Sequence, residues 1–286
     1  MGKVFDALSK SNKEAVIITE GPGPPEARPV VAPRPSAGDA PIDLGKPLYK
    51  QNHIDANLVV LNDPQSFEAE QFKILRTNLL FPVSGVPPKT ILVTSAVPGE
   101  GKSFVSANLA ISIAQNIEEH VLLMDCDIRL PCLHRRFGFD SVPGLSEYLS
   151  GKIPLSSVIL KTQIAKLSLL PGGTPPHNPS ELLSSESMAE LVEEVKHRYA
   201  DRYIIIDSPP PNYTAETAAL ARQIDGIVLV VNSGKTPRGL VEDLVNSLGK
   251  EKILGVVMNR FDFRGSRYYG YGKYGKYGSY GTYGIR

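Results

Sequence analysis

A glycine-rich stretch, SAVPGEGKS at residues 95–103, carries the residue types that bind nucleotide phosphates. It matches the pattern G-x-x-x-x-G-K-[ST] except at the first glycine, where Ala96 stands. Gly99 and Gly101 let backbone N–H groups turn inward around phosphate oxygens, and Lys102 can neutralise the terminal phosphates. A strand pattern before the stretch and a helical pattern after it make a coincidental glycine turn the weaker interpretation. The predicted nucleotide contacts here are Pro98, Gly99, Glu100, Gly101, Lys102, Ser103 and Phe104.

Three carboxylates follow apolar runs and could supply a metal site and a proton acceptor. Asp125 and Asp127 lie two positions apart in LLMDCDIR, so on an extended chain their side chains point the same way. Two like charges at one spot repel each other unless a cation or a ligand lies between them. Asp207 ends the apolar run RYIIID, where phosphate-loop enzymes coordinate Mg²⁺.

Together with the glycine-rich stretch, these acids predict a magnesium site formed by Ser103, Asp127 and Asp207. One member of the Asp125/Asp127 pair would accept a proton from an incoming hydroxyl. Arg129 follows the pair and is expected to contact a carboxylate or a phosphate. Without the neighbouring glycine-rich stretch, paired acids at a strand end would more often be solvated or would cap a helix. The predicted catalytic residues are Lys102, Asp125, Asp127 and Asp207.

Alternating apolar and helical segments predict the fold that positions these groups. The segment SFEAEQFKILRTNLLF, from Ser66, begins with a helix-capping residue and has Phe72, Leu75 and Leu79 at helical spacing. Apolar runs without polar alternation are typical of strands that are buried on both faces of a parallel sheet. The pattern predicts a doubly wound α/β fold over residues 64–262, with ligands bound beyond the carboxyl ends of the strands. The predicted strand segments are TILVTSA, HVLLMDCD, KLSLLP, RYIIIDSPP, GIVLVVNS and ILGVVMNRF.

The flanking regions differ from this pattern. Residues 1–15 are a candidate amphipathic helix, and residues 16–63 form a Pro-rich linker with eight prolines between Gly21 and Pro47. No run approaches the ~18 apolar residues of a membrane span, so membrane association is expected to require a partner. The net charge of +1 argues against a dedicated nucleic-acid binder.

Residues 263–286 form a Tyr/Gly-rich tail that is predicted to be disordered, because it has frequent glycines and almost no aliphatic side chains. Seven of the twelve tyrosines of the chain lie in it. Such a segment is either an adhesive low-complexity appendage or a set of phenols that an enzyme modifies. The predicted phosphoacceptors are Tyr268, Tyr269, Tyr271, Tyr274, Tyr277, Tyr280 and Tyr283.

The combination of SAVPGEGKS, LLMDCDIR, IIIDSPP and the tyrosine cluster resembles the bacterial tyrosine kinases, over about residues 66–286. The resemblance implies a phosphate-loop NTPase fold of the MinD/ParA-like type with bound ATP and Mg²⁺. It also implies a protein-tyrosine autokinase that phosphorylates its own tail in trans and regulates exopolysaccharide synthesis or export. By the same resemblance, Asn259 in VMNRF would lie near the adenine.

The resemblance further implies a homo-oligomeric ring that forms through an E-x-x-R-x-x-R helix. Glu70, Lys73 and Arg76 stand at that spacing, with lysine in the middle place. A lysine keeps the charge but loses the bidentate fork of arginine. The implied partners are a membrane-bound modulator of the polysaccharide chain-length type and a cognate tyrosine phosphatase. The implied location is the cytoplasm, at the inner face of the plasma membrane.

The alternative interpretation is an ATPase switch of the ParA/MinD type, with the tail as an interaction segment. Those proteins resemble this chain in overall fold, but their loop usually carries an extra lysine where Val97 stands here. A valine cannot neutralise a phosphate on a neighbouring subunit. The loop sequence PGEGKS therefore favours the tyrosine kinase interpretation.

Overall fold

A single sheet of seven strands organises the fold in the computed structural model, which describes residues 53–198, 202–210 and 216–261. The strand order is β3-β4-β2-β5-β1-β6-β7, and the pairs are parallel except for β3 with β4. This agrees with the predicted doubly wound, mostly parallel architecture. The strands are β1 (Thr90–Ser95), β2 (His120–Asp125), β3 (Leu160–Lys161), β4 (Leu167–Leu170), β5 (Arg202–Asp207), β6 (Gly226–Asn232) and β7 (Ile253–Asn259).

Helices cover both faces of the sheet and form two cores with it. Ile91 and Val93 of β1 belong to one core, whereas Leu92 between them belongs to the other, because successive strand residues point to opposite faces. The helices are α1 (Val59–Asn62), α2 (Phe67–Leu80), α3 (Lys102–Ala114), α4 (Leu133–Arg136), α5 (Leu145–Leu149), α6 (Leu155–Val158), α7 (Pro179–Leu183), α8 (Glu186–Arg198), α9 (Glu216–Gln223) and α10 (Arg238–Leu248), with a 3₁₀ turn at Lys250–Lys252.

The strand β7 differs from its prediction. The sequence ILGVVMN was expected to be buried on both faces, but burial alternates along it. Leu254, Val256 and Met258 are 40%, 49% and 52% exposed. The reason is position, since β7 is the last strand in the sheet order and packs against a strand on one side only among the described residues.

The start of α2 follows its sequence signal. The Ser66 side chain accepts a hydrogen bond from the Ala69 N–H, at 3.2 Å, as a helix N-cap does. Packing begins before residue 64, because Leu58 and Val60 are fully buried and the Val60 N–H donates to Asn108 Oδ1 at 3.1 Å. Residues 1–52 and the tail lie outside the described residues. No helix in the described ranges has the length and apolar character to cross a membrane.

Candidate active site

The glycine-rich stretch forms a loop that joins β1 to α3, as its pattern predicts. Gly99 and Gly101 have φ of +77° and +98°, in the left-handed region that favours glycine. A Cβ on Gly101 would lie 2.1 Å from Asn259 Nδ2, so a side chain there would also collide with the end of β7. These two conformations turn the loop backbone so that α3 begins at Lys102 with its free N–H groups facing the loop.

Lys102 and Ser103 lie beside Asp207, the carboxylate at the end of β5. Lys102 is only 8% exposed, and its positive charge lowers the pKa of Asp207. A hydrogen bond from Ser103 lowers the same pKa. The Ser106 hydroxyl, one helical turn after Lys102, donates to Asp207 Oδ1 at 3.1 Å. Residue spacing alone could have identified Ser106, because positions four apart share one face of a helix.

Asp125 and Asp207 face each other at the carboxyl ends of β2 and β5, where they are partners in the strand register. Both are fully buried. The N–H groups of Cys132 and Leu133 donate to Asp125 Oδ2, each at 3.0 Å. Within the described residues, Asp125 Oδ1 and Asp207 Oδ2 are buried without a hydrogen-bond partner.

Burial raises the pKa of both carboxyls. The pKa of Asp207 rises from 3.8 to about 6, despite the opposing effects of Ser103, Lys102 and Ser106. The pKa of Asp125 rises well above its usual range, through burial and then through the charge of Asp207. The protein alone offsets little of the cost of burying two carboxylates side by side when both are ionised.

Of these two unpartnered oxygens, Asp207 Oδ2 belongs to the predicted metal site, and it fits a divalent cation because carboxylate oxygens are the ligands that Mg²⁺ prefers. The described residues contain no group of three or more His, Cys, Asp or Glu side chains that would hold a metal ion by themselves. In nucleotide sites, Mg²⁺ is usually bound by one or two carboxylates together with the phosphates of the nucleotide.

Asp127 and Arg129 lie in the loop after β2. Asp127 is half-buried, its Oδ1 accepts the Leu130 N–H at 3.3 Å, and its charge raises the pKa of both Asp125 and Asp207. Arg129 is exposed, and its Nη2 donates to Ser180 Oγ in α7 at 3.1 Å. Arg129 was predicted to contact a carboxylate or a phosphate, and the sequence did not predict this additional contact with the Ser180 hydroxyl.

Glu100 and Asn259 were predicted as nucleotide contacts, and the structure adds contacts within the protein. Glu100 is 1% exposed, with its carboxylate directed toward the end of β6. The Asn259 Nδ2 donates to the Glu100 carbonyl at 2.7 Å. Thr236 and Asn232, which also reach Glu100, carry no sequence signal that would have identified them.

The predicted ring helix is α2, and its three marked side chains make contacts within their own chain. Lys73 Nζ lies 2.7 Å from Glu70 Oε1 and also donates to the Pro64 carbonyl at 3.0 Å. Arg76 Nη1 donates to the Ser112 carbonyl in α3 at 2.9 Å. Glu70 and Lys73 keep 54% and 30% of their side chains exposed. The seven tail tyrosines lie outside the described residues.

The site combines a loop whose glycines have positive φ, a helix that begins directly after it, and buried acids at the ends of adjacent parallel strands. These features define a phosphate-loop NTPase. A family model described as "ParA: NUBPL iron-transfer P-loop NTPase" matches residues 87–267. The septum site-determining protein MinD of Pyrococcus horikoshii, solved with Mg-ADP, superposes with a TM-score of 0.51 at 24% identity. The match covers 60% of this chain and 70% of that one, and it shows a shared fold.

Within that class, the chain belongs to the bacterial tyrosine kinases. The tyrosine-protein kinase YwqD of Bacillus subtilis is 36% identical over 222 residues, 77% of this chain and 92% of its own. The kinase domain of the Escherichia coli tyrosine kinase ETK superposes with a TM-score of 0.69 at 30% identity, over 81% of this chain and 90% of that one. The tyrosine-protein kinase wzc of Salmonella typhimurium is 33% identical over 226 residues, 78% of this chain but 30% of its own length.

Proposed function

We propose that this tyrosine kinase is an autokinase that transfers the γ-phosphate of ATP to the tyrosines of its own tail, in trans. The observation that carries the proposal is the pairing of two buried carboxylates, Asp125 and Asp207, beside the loop that begins α3. Carboxylate oxygens thus lie next to Lys102 and Ser103, where the γ-phosphate of a nucleoside triphosphate would lie.

Each residue has a specific role in the proposed reaction. The loop N–H groups and Lys102 bind the phosphates, and the side chains of Ser103, Asp127 and Asp207 would hold Mg²⁺. The magnesium ion, when bound, neutralises negative charge on the phosphate oxygens. The tyrosine oxygen forms a bond to the γ-phosphorus while the bond from that phosphorus to the β–γ bridging oxygen breaks, and ADP leaves. The phenol proton passes to the carboxylate of Asp125 or Asp127.

The two candidate bases differ in their surroundings. Asp125 already accepts two backbone N–H groups at Oδ2, which hold its side chain in one orientation and leave Oδ1 for another contact. Asp127 is only half-buried, and therefore an incoming phenol can reach it more easily. The same two N–H bonds to Asp125 fix the start of α4, so this carboxylate also shapes the loop that carries Asp127.

The length and composition of the tail support its role as acceptor. The 25 residues 262–286 could extend over roughly 80–90 Å, which would reach the site of a neighbouring subunit. Glycines leave space around each phenol. The seven proposed acceptors are Tyr268, Tyr269, Tyr271, Tyr274, Tyr277, Tyr280 and Tyr283.

The proposal includes the cellular setting. The kinase would work in the cytoplasm at the inner face of the plasma membrane, recruited there by a membrane-bound modulator of polysaccharide chain length. A tyrosine phosphatase would reverse its modification, and exopolysaccharide synthesis or export would be the regulated process. Asn259 would lie near the adenine, and α2 would form the contacts of a homo-oligomeric ring.

Intact mass after incubation with Mg-ATP tests the acceptor assignment, on wild type, on Lys102→Met and on a chain cut after Phe263. We expect a ladder of added phosphates in wild type alone. The truncated chain should still phosphorylate an added tyrosine-containing polymer, which shows that its site is intact. Phosphate released into solution with no gain of mass, also in the presence of a membrane partner's cytosolic segment, would favour the ATPase switch instead.

A further inference from the structure

The Glu100 side chain connects the phosphate loop to the turn between β6 and α10, residues 232–237, which we call the β6–α10 turn. Its Oε2 accepts the Val97 N–H within the loop at 3.1 Å. Its Oε1 accepts the Asn232 N–H at 3.1 Å and the Thr236 hydroxyl. The carboxylate is thus bound at both oxygens, by donors from two separate parts of the chain.

Asn259 adds a second connection from the end of β7. Its Nδ2 donates to the Glu100 carbonyl at 2.7 Å, and its Oδ1 accepts the Arg260 N–H at 2.9 Å. Arg260 has φ of +55°, which is uncommon for a residue with a side chain. The chain thus turns into the left-handed region directly after β7, where the Asn259 side chain contacts the loop.

The Glu100 side chain at the centre of the network is buried, whereas its partners Asn232 and Thr236 are half-buried. Glu100 is 1% exposed, although a charged side chain is rarely buried unless it is paired. Hydrogen bonds to charged groups are stronger than neutral ones, and removal of one partner leaves a buried group unsatisfied. Two of the three donors to the carboxylate come from the β6–α10 turn, and the third comes from the phosphate loop.

We infer that Glu100 is a positioning residue for nucleotide binding, which aligns the phosphate loop with the β6–α10 turn through Asn232 and Thr236. The backbone of Glu100 remains a predicted phosphate contact, while its carboxylate acts on the protein side of the loop. Correct alignment matters because the loop binds phosphate with several N–H groups at once, and these must be aimed together. This inference rests on ATP binding at the loop and does not depend on the tail as acceptor.

The test uses the full-length chain and measures the Kd of a fluorescent ADP analogue with Mg²⁺. Thr236→Val removes the hydroxyl at nearly constant volume, and we expect its Kd to rise about tenfold, or ~1.4 kcal/mol. Glu100→Gln should show a similar or larger rise. Thr236→Ser keeps the hydroxyl and should return to within about twofold of wild type. Ser233→Ala removes a hydroxyl of the same turn that, among the described residues, makes no hydrogen bond with Glu100. It is the matched control and should bind as wild type does.

Kinetics on an added tyrosine-containing polymer separate positioning from general damage. For Thr236→Val we expect the KM for ATP to rise about tenfold, with the KM for the polymer and the kcat at saturating ATP within about twofold of wild type. A wild-type Kd in Thr236→Val would overturn the inference. A rise in both KM values together with a large loss of Tm would also overturn it, because the network would then stabilise the whole fold and not the nucleotide site. Measurement of the Kd requires no phosphoryl transfer. Its result therefore tests this inference even if the tail is not the acceptor.

Discussion

Asp125 and Asp207 are register partners at the ends of two adjacent parallel strands, and both are fully buried. Each keeps one carboxylate oxygen without a hydrogen-bond partner among the described residues. Two like charges so placed destabilise the fold unless one is protonated or a cation lies between them. The pair therefore links the stability of the chain to its proposed metal.

Asp207→Asn should abolish the stabilisation that Mg²⁺ and ADP give together. The substitution removes the charge but keeps the shape, so the metal loses a ligand while the loop keeps its fold. We expect the increase in Tm with Mg-ADP to disappear and tyrosine phosphorylation to fall at least about 100-fold. Thermal unfolding with and without Mg-ADP measures this. Asp243→Asn, an exposed acid on α10, is the control. A full Tm increase in Asp207→Asn would exclude Asp207 as a ligand.

The metal-free chain should become more stable as the pH falls from 7.5 to 5.5. Burial raises the pKa of Asp207 from 3.8 to about 6, so the folded chain binds this proton more tightly than the unfolded chain does. The free energy of unfolding then rises as the pH falls through 6, by roughly 1 kcal/mol from this group between 7.5 and 5.5. The pKa of Asp125 is shifted in the same direction and adds to the effect.

Urea unfolding at several pH values, in wild type and Asp207→Asn, measures this contribution. The variant is needed because His134, whose pKa is lowered mainly by burial, loses stability over the same pH range and partly offsets the gain. We expect the difference in stability between Asp207→Asn and wild type to shrink as the pH falls. A constant difference would mean that Asp207 is ionised throughout.

Gly101→Ala should destabilise the metal-free chain more than Gly99→Ala. Both glycines have positive φ, so each substitution costs about 1–2 kcal/mol of backbone strain. Only at Gly101 would the new Cβ meet a neighbour, Asn259 Nδ2 at 2.1 Å, whereas Gly99 has open space around it.

A double-mutant cycle with Asn259→Ala isolates the collision at Gly101. In that background, Gly101→Ala should cost about as much as Gly99→Ala, because the clashing amide is gone. Chemical denaturation of the single and double variants gives the coupling energy. Equal costs of the two alanines in the wild-type background would contradict the close approach of Asn259 to the loop.

Lys73→Ala and Arg76→Ala should separate self-association from folding. The Lys73–Glu70 pair is partly exposed, and its loss should change the free energy of unfolding by about 0.5 kcal/mol. Arg76 bonds the Ser112 carbonyl, so Arg76→Ala should cost about 1 kcal/mol. Sedimentation should show weaker association for Lys73→Ala at unchanged stability. Unchanged association in Lys73→Ala would argue against a ring that forms through this part of α2.

Phosphorylation of the tail should loosen the oligomer. Residues 262–286 carry five Lys or Arg and one Asp, a net charge of +4. Each phosphate adds about −1.5 to −2 charges, so seven of them would add roughly −10 to −14. A tail that is attracted to acidic surfaces would then be repelled by them. Sedimentation velocity of the unmodified and the fully phosphorylated chains measures this, and identical profiles would contradict it.

Local sequence patterns predicted most of the fold. The apolar runs TILVTS and RYIIID are fully or almost fully buried strands, and Ser66 caps the helix that its position indicated. These predictions are confirmed because a helix cap depends on residues that are near each other in sequence, and an unbroken apolar run is itself a local sign of a strand that is covered on both faces. The same runs could not reveal that β7 lies at the sheet edge, since strand order is decided by the packing of the whole chain.

The sequence by itself determined which residue types are available for chemistry. The glycines and lysine of the loop, the acids after the apolar strands and the phenols of the tail can all be recognised as residue types at short spacing. Only the tertiary structure decided how they pair. It placed Asp125 opposite Asp207, and it brought the Glu100 carboxylate into contact with Thr236, which is 136 positions away. Such contacts depend on strand order and on the burial of charge, and both of these arise only when distant segments pack together.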